Sequence, residues 1–185
     1  HDDIMDQDTM RHGQKTVHKK WDVPLAILSG DSLLALSLKN LTDYGYGKDV
    51  LNAFNKGLLA VCEGQALDKE FESKNNISKE QYFQMIEKKT SYLIAMSIQI
   101  GALCYKYPKN IIKKLFNFGI LIGRAFQIQD DLLEITSNPK NMKKSLSSDI
   151  ILSKKTYPII LCRDKNDNKF NNIIKKTDDI TQIVF

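Results

Sequence analysis

The feature that most constrains this chain is the spacing of its apolar residues, which recur every three to four positions along most of the sequence. Between positions 48 and 71, for example, Val50, Leu51, Phe54 and Leu58 follow that spacing, which places them on one face of a helix. Only four prolines interrupt the 185 residues, and no segment alternates apolar and polar residues over a useful strand length. The pattern predicts an all-α fold and disfavours a turn-rich β-sandwich.

Local signals set the expected boundaries of the helices. Pro24 is well placed as a first helical residue, and the apolar density from 24 to 38 predicts that this helix is buried. Ser78 and Gln81 fit a capping box, in which each side chain bonds the other residue's backbone amide. The expected helices are 24–38, 48–71, 78–105, 108–135 and 156–162, with a weaker candidate at 170–175.

Length, charge and cysteine content set broad limits. A chain of 185 residues suffices for one domain with a substantial core. Its net charge of +5 suits nucleic acid, anionic lipid or phosphorylated substrates equally well. Three isolated cysteines indicate neither a disulfide framework nor a metal site, so a reducing cytoplasm is expected. No apolar stretch reaches the roughly 18 residues of a membrane span, so no stable membrane insertion is expected.

Two acidic clusters share one form: two adjacent acids, two apolar residues and a further acid. On a helix, positions i and i+4 share a face, so the first and last acid of each cluster converge. Crowded carboxylates repel one another unless a cation lies between them, and oxygen ligands of this kind hold Mg²⁺. A solvated acidic face is the alternative for one cluster alone, but the second follows a run predicted to be buried, where carboxylates need a partner. The clusters are Asp2-Asp3-Ile4-Met5-Asp6 and Asp130-Asp131-Leu132-Leu133-Glu134.

Basic residues accompany both acidic clusters. In a diphosphate site, metal ions bridge some phosphate oxygens and cationic side chains neutralise the others. Any single lysine in this lysine-rich chain is more commonly a solvated surface charge, so the argument rests on the joint pattern. The residues concerned are Arg11 and His12 after the first cluster, Lys88 and Lys89 beside Thr90 in a long helix, and Lys143, Lys144, Lys154 and Lys155 after the second.

The joint pattern resembles the trans-isoprenyl diphosphate synthases of the polyprenyl synthetase family, and most resembles their archaeal geranylgeranyl and farnesyl diphosphate members. Six blocks occur in the family's order, which makes the resemblance highly specific. They are HDDIMDQDTMRHGQKTVH at 1–18, GDSLLAL at 30–36, CEGQALDKEFE at 62–72, KKTSYL at 88–93, FQIQDDLLEI at 126–135 and KKSLSSDIILSKKTYP at 143–158.

This resemblance implies a bundle of long helices around a cavity, with the two acidic motifs facing each other across its mouth, in a homodimer. It implies Mg²⁺ ligands at Asp2, Asp3, Asp6, Asp130, Asp131 and Glu134. It implies that the allylic diphosphate is bound by Arg11, Lys89, Thr90, Gln127, Lys144 and Lys154. It places His12 where an arginine contacts isopentenyl diphosphate. The expected catalytic set is Asp2, Asp3, Asp6, Lys89, Asp130, Asp131, Lys144 and Lys154.

The implied reaction is a magnesium-dependent condensation of isopentenyl diphosphate with an allylic diphosphate. Pyrophosphate departs, the double bond of isopentenyl diphosphate attacks the resulting carbocation, and a proton is lost. Glu134 stands where the family has Asp, and His12 replaces the always-charged fork of an arginine. We therefore expect weaker binding of isopentenyl diphosphate than an arginine at position 12 would give.

The sequence also indicates a piece of a longer protein, because it begins without Met inside a charged motif. Residues 1–185 are read as a single partial domain that lacks upstream helices. Without them, we expect exposed core and poor stability or aggregation. The other functional interpretations are a non-catalytic partner subunit, a terpene cyclase of the same fold and a basic nucleic-acid binder. In a partner subunit one acidic motif has decayed, and terpene cyclases generally keep one aspartate-rich motif beside a different second metal motif, so two acidic motifs argue against both. Paired carboxylates would repel nucleic-acid phosphates, which argues against the third.

Overall fold

A computed structural model describes residues 1–136 and 154–164 and confirms the all-α prediction. The described strands form a two-residue hairpin, in which Met10 lies opposite Lys15. The helix candidate at 170–175 lies outside the described residues. The elements are α1 Asp2–Met5, β1 Met10–Arg11, β2 Gln14–Lys15, α2 Val17–Lys20, α3 Val23–Asp43, α4 Lys48–Glu72, α5 Lys79–Ile86, a π-helical turn Glu87–Ser91, α6 Tyr92–Cys104, α7 Lys109–Thr136 and α8 Tyr157–Asp164.

Side-chain caps begin the helices where the sequence predicts. The Asp22 carboxylate accepts the Leu25 backbone N–H at 2.7 Å and caps α3. The predicted capping box is present: the Gln81 N–H donates to the Ser78 hydroxyl at 3.2 Å, and the Ser78 N–H donates to the Gln81 amide oxygen at 2.8 Å. These bonds satisfy amides that a helix start leaves without intrahelical partners, which explains why local sequence is sufficient to locate the boundary.

The long helix predicted at 78–105 is continuous, but a π-helical turn interrupts its α-helical geometry at Glu87–Ser91. Two glycines allow the neighbouring helices to approach this turn closely. A Cβ atom on Gly64 of α4 would lie 2.1 Å from the Lys89 amide nitrogen, and one on Gly123 of α7 would lie 2.3 Å from the Ser91 Cα. The turn is thereby held between α4 and α7, and single π-turns of this kind are frequent at functional sites.

The buried core cluster joins α4, α5 and α8 beneath the acidic segments. Burial of such side chains removes apolar area from water and is the main favourable contribution to folding. Ile128 of α7 packs against this core, so the core holds the part of α7 that carries the second acidic cluster. The cluster consists of Phe71, Ile77, Tyr82, Met85, Ile86 and Ile160, with Leu67, Phe83, Ile128 and Tyr157 packed against it.

The prediction that segment 24–38 is buried is wrong for the described part of the chain. Within α3 only Ala26 is buried, whereas Leu28 is 61% exposed and Leu33 is 66% exposed. The physical reason is the lack of an adequate partner: α3 packs chiefly on the four-residue helix α2, which is too short to cover it. Periodicity reports the apolar content of a helix, but burial requires a surface to pack against.

Among the described helices, none combines the length and apolar character that a membrane crossing demands.

Candidate functional site

A cleft of about 490 Å³ brings residues of both acidic clusters together. Short helix α1 supplies the first cluster, the C-terminal part of α7 supplies the second, and the π-helical turn lines the cleft between them. Nine of the residues predicted from the sequence line this cleft. They are Asp2, Asp6, Arg11, Lys89, Thr90, Gln127, Asp130, Asp131 and Lys154.

Asp6 is the most enclosed carboxylate of the first cluster that lines the cleft, and lysines from distant segments surround it. Its oxygens accept hydrogen bonds from Lys154 Nζ at 2.6 Å and from Lys69 Nζ at 3.1 Å. Burial raises the pKa of Asp6, but the hydrogen bond and charge of Lys154, together with Lys89 and Lys69, outweigh burial and leave the pKa below its usual value. Asp6 is therefore a buried anion held by positive charge.

The other acids of the first cluster pair with the hairpin arginine. Arg11 Nε donates to Asp3 at 2.6 Å, and Arg11 Nη2 donates to Asp8 at 3.1 Å and lies 3.9 Å from Asp2. Lys89 Nζ lies 3.7 Å from a second oxygen of Asp2. Asp3 thus supports Arg11 from outside the cleft lining, while Asp2 lies between two cations at the cleft.

A third acidic group, on α4, was not predicted as part of the site. Asp68 accepts a 2.6 Å hydrogen bond from Lys89 Nζ, and Lys69 bridges Asp6 and Glu72. Ligand oxygens of Asp6, Asp68 and Glu72 all lie within 4.8 Å of one another. The sequence contained the signal, because positions 68 and 72 are one helical turn apart, like the acids of the two predicted clusters.

The second cluster is organised by neutral donors. Asp131 Oδ2 accepts the Tyr82 hydroxyl at 2.7 Å and the Tyr157 backbone N–H at 2.9 Å, and Oδ1 accepts the Gln127 amide at 3.0 Å. Burial raises the pKa of Asp131, and these three hydrogen bonds only partly offset it. Gln127 in turn accepts the Thr90 hydroxyl at 2.6 Å. The sequence carried no signal for Tyr82 as a partner of this carboxylate.

Four predicted residues lie away from the cleft lining or outside the described chain: Asp3, described above, and His12, Glu134 and Lys144. His12 occupies the hairpin turn, is exposed and adopts a positive φ of 52°. Glu134 is buried one turn beyond Asp130 and does not line the cleft. Lys144 lies outside the described residues. Conversely, Lys155 and Thr156 line the cleft beside Lys154 without having been assigned a role.

The donor set around Asp6 fits a divalent cation. All three ligand groups of the Asp6, Asp68 and Glu72 cluster are carboxylates, which are the oxygen ligands that hard cations such as Mg²⁺ prefer. Lys69 and Lys154 already place positive charge between these carboxylates. The field at this end of the cleft therefore favours a cation, and a metal would replace part of the charge that the lysines now supply.

Comparison with known proteins shows the family to which this chain belongs. The sequence pattern that defines polyprenyl synthetases matches residues 1–184. The chain belongs to the polyprenyl synthetase family. A geranylgeranyl diphosphate synthase of Sulfolobus acidocaldarius is 41% identical over 174 residues, which are 89% of this chain and 53% of that protein. The chain spans about half the length of the curated relatives that it matches.

Solved polyprenyl synthetase structures share the fold. A geranylgeranyl pyrophosphate synthase is 33% identical, with a TM-score of 0.88 over 100% of this chain and 60% of that one. A geranyltransferase from Helicobacter pylori, complexed with magnesium and isoprenyl diphosphate, is 27% identical, with a TM-score of 0.76 over 98% of this chain and 60% of that one. These likenesses confirm the family and the fold class that the six sequence blocks indicate.

Proposed function

We propose that this chain carries the cleft of a trans-prenyltransferase, which condenses isopentenyl diphosphate with an allylic diphosphate to give a longer prenyl diphosphate, either geranylgeranyl or farnesyl diphosphate. One observation carries the proposal: a single cleft joins carboxylates of both acidic clusters to the cations Arg11, Lys89 and Lys154. Membership in a family whose curated relatives are named as prenyl diphosphate synthases supports it.

Mg²⁺ is the proposed metal, because the helicobacter relative of this fold is complexed with magnesium. Asp2, Asp6 and Asp130 would hold it, with Asp68 behind Asp6. When bound, the metal supplies Lewis-acid stabilisation of the leaving diphosphate. Asp3, Asp131 and Glu134 are also proposed as ligands, as the family resemblance implies. Asp3 in addition holds Arg11, and Asp131 in addition holds α5 and α8.

The cationic side chains of the cleft would bind diphosphate oxygens. Lys89, Lys154 and Arg11 now pair with carboxylates, and a diphosphate entering the cleft would offer them further charged acceptors. In the reaction the allylic C–O bond breaks and pyrophosphate leaves with the bonding electrons. A C–C bond then forms to isopentenyl diphosphate, which loses a proton. The protein's contribution is to position both substrates and stabilise the departing negative charge.

An apolar wall completes the cleft. Leu93 is 50% exposed and Phe126 is 56% exposed, and both line the cleft together with Ile94 and Met85. Hydrocarbon of an allylic tail packed on this wall would cover these side chains and exclude water from the carbocation. Thr90 and Gln127, joined by their hydrogen bond, lie where the charged and apolar parts of the cleft meet.

The proposal includes a homodimer, a cytoplasmic location and one domain of which residues 1–185 form part. The exposed leucines of α3 support the dimer, because an unpartnered apolar helix of 21 residues is the kind of face that subunits bury. Exposed, unpaired Cys62 and Cys104 are compatible with a reducing compartment. No nucleic-acid partner is proposed.

The test uses this chain extended to the length of its relatives, incubated with Mg²⁺, radiolabelled isopentenyl diphosphate and C5, C10 or C15 allylic diphosphates. We expect magnesium-dependent elongation that Asp2→Ala or Asp130→Ala abolishes, while Asp43→Ala, on an exposed carboxylate of α3, retains it. A folded protein that elongates no primer would contradict the proposal. Activity that returned only when a second, related chain was added would identify a partner subunit instead.

The position of His12 gives a finer test of substrate binding. We expect His12→Arg to lower the KM for isopentenyl diphosphate in the extended protein, because arginine offers a permanently charged, bidentate donor. The KM for the allylic substrate should stay the same. An unchanged KM for isopentenyl diphosphate would remove His12 from the proposed substrate site.

A further inference from the structure

A second cavity, of about 550 Å³, lies between α4, α6 and α7 and shares no lining residue with the cleft. It is formed near the beginning of α4, where Asn52 is 16 residues before Asp68 of the cleft cluster. This separation corresponds to roughly 24 Å along the helix axis. The cavity therefore lies toward the other end of the same three helices, and its volume is in the range of ligand-binding pockets.

The floor of this second cavity is apolar. Ala53 and Met96 are buried there, and Leu103 and Ile112 extend the apolar surface. The rings of Tyr92 and Phe116 pack edge to face with centroids 5.6 Å apart, a favourable arrangement that gives this wall a fixed shape. Gly57 permits a close approach of α4 to α6 at this cavity, since a Cβ atom there would lie 2.2 Å from the Met96 sulfur.

The rim of the second cavity carries a surplus of positive charge. Lys109 and Lys113 are one helical turn apart on α7, and Lys56 faces them from α4. None of these three forms an ion pair or hydrogen bond with another described residue, whereas the cleft lysines Lys89 and Lys154 both do. Two lysines at i and i+4 repel each other unless an anion lies near them. The lining includes a single acid, Asp49.

A cavity with an apolar floor and three unpaired lysines at its rim has the chemistry of a site for an anionic amphiphile. We propose that it binds an isoprenyl diphosphate, with the diphosphate on the three lysines and the hydrocarbon on the floor. The choice among anionic amphiphiles rests on the proposed function, because the neighbouring cleft would release exactly such a molecule. Charge-assisted hydrogen bonds from lysine to phosphate are stronger than neutral ones, and the tail would cover the partly exposed side chains of Leu103 and Ile112.

Equilibrium dialysis of the chain extended to the length of its relatives, against radiolabelled geranylgeranyl diphosphate in EDTA, tests this proposal, because the rim lysines need no metal. We expect the triple substitution Lys56→Ala, Lys109→Ala and Lys113→Ala to weaken binding by about tenfold or more, equivalent to at least about 1.4 kcal/mol. The matched control replaces Lys19, Lys48 and Lys114, which are exposed and line neither cavity, and should bind like the parent. Circular dichroism checks that both triple variants remain helical.

Ligand arms separate the head from the tail and the prenyl chain from other lipids. Inorganic pyrophosphate and geranylgeraniol should each bind about tenfold more weakly than the complete molecule. Equal affinity for pyrophosphate would reduce the site to an anion patch and overturn the proposal. So would capture by phosphatidylserine vesicles that the diphosphate cannot displace, or equal binding by both triple variants.

These outcomes are independent of the elongation assay. If elongation occurs but lysine-dependent binding in EDTA does not, this proposal fails while the proposed function stands. If binding occurs without elongation, the second cavity is an amphiphile site of a chain whose proposed reaction is wrong.

Discussion

The carboxylates Asp6 and Asp131 lie in the same cleft, yet opposite kinds of partner hold them. Asp6, near the chain's beginning, contacts two lysine ammonium groups, and its pKa lies below the usual value despite burial. Asp131, on α7, contacts a phenol, a side-chain amide and a backbone amide, all neutral, and its pKa is raised. Equal sequence patterns thus produce two different electrostatic environments.

The two sets of partners differ in how easily a ligand can replace them. Lysine side chains are long and mobile, so the charge around Asp6 can pass to a metal or a diphosphate without unfolding a helix. Asp131 ties α7 to the buried Tyr82 of α5 and to the first amide of α8, so its bonds belong to the packing. Asp131 therefore also positions the second cluster, and Asp130 beside it lines the cleft.

The largest expected effect is on stability and falls on Asp131. Replacing Asp131 with Ala removes the acceptor of a buried hydrogen bond from the Tyr82 hydroxyl and of a part-buried one from the Tyr157 amide. The loss of a buried acceptor costs about 1–3 kcal/mol. We expect the free energy of unfolding to fall by about 3 kcal/mol in urea denaturation followed by circular dichroism. Asp131→Asn, which keeps one oxygen acceptor, should lose less.

Asp130→Ala provides the matched control for that experiment, because it removes the adjacent carboxylate of the same helix. Its free energy of unfolding should fall by less than that of Asp131→Ala, because Asp130 lines the cleft and is only partly buried. Equal losses for Asp130→Ala and Asp131→Ala would contradict the division into a structural and a ligand-facing acid.

Opposite pH dependence is the next expected difference. The pKa of Asp6 is lowered on folding, so its stabilising contribution is present above the ordinary Asp value of about 3.9 and disappears as the pH falls through the folded value. The pKa of Asp131 is raised on folding, so the folded state takes up its proton first, and protonation favours folding as the pH falls toward about 3.9.

Urea denaturation in EDTA between pH 3 and pH 7 checks both signs. The stability advantage of the parent over Asp6→Asn should shrink as the pH falls below about 3.9. The stability of the parent relative to Asp131→Asn should instead rise as the pH falls toward that value. If both stability differences changed in the same direction with pH, the lysines and the neutral donors would shift the pKa values of the two carboxylates in the same direction.

Helix positions in this molecule are predictable because their causes are local. Pro24, the Asp22 cap and the Ser78–Gln81 box act within four residues, so the sequence alone predicts where α3 and α5 begin. Burial of α3 was predicted wrongly, because it depends on a packing partner rather than on the helix itself. The π-helical turn also escaped prediction, since it follows from the fit of Gly64 and Gly123 against it.

The sequence motifs predicted which residues form the site, but not which side chains those residues contact. One-turn spacing predicted that Asp2 and Asp6 converge, and the resemblance to the family implied that the two acidic motifs face each other. Asp2, Asp6 and Asp130 do line one cleft. Adjacent residues on a helix, however, point about 100° apart, and only the packing of α5 and α8 decides that Asp131 faces inward. Asp68, by contrast, could have been found by applying the same one-turn rule to α4.

A smaller effect is expected from replacing Lys154, and it tests whether a metal ion can take the place of this lysine beside Asp6. Lys154→Met removes a positive charge 2.6 Å from Asp6 and 3.5 Å from Asp68, so a divalent cation no longer competes with it for these carboxylates. We expect the Kd for Mn²⁺, measured by electron paramagnetic resonance, to fall by about threefold to tenfold, or up to about 1.4 kcal/mol. Lys88→Met is the control, since Lys88 pairs with Glu63 away from the cleft. Unchanged or weaker Mn²⁺ binding in Lys154→Met would mean that Lys154 does not compete with a metal ion for Asp6 and Asp68.

Salt gives the smallest expected effect and tests the comparison without changing any carboxylate. Arg11→Ala removes partly exposed ion pairs with Asp3 and Asp8, which are worth up to about 1 kcal/mol and are screened by salt. Tyr82→Phe removes a buried hydrogen bond from a neutral donor, worth about 1 kcal/mol. Between 0.05 M and 0.5 M NaCl, the stability loss of Arg11→Ala should shrink by a few tenths of a kcal/mol, while that of Tyr82→Phe stays constant. If the stability loss of Tyr82→Phe shrank equally, long-range charge would govern the bond to Asp131. The contacts of the second cluster would then be as sensitive to charge as those of the first.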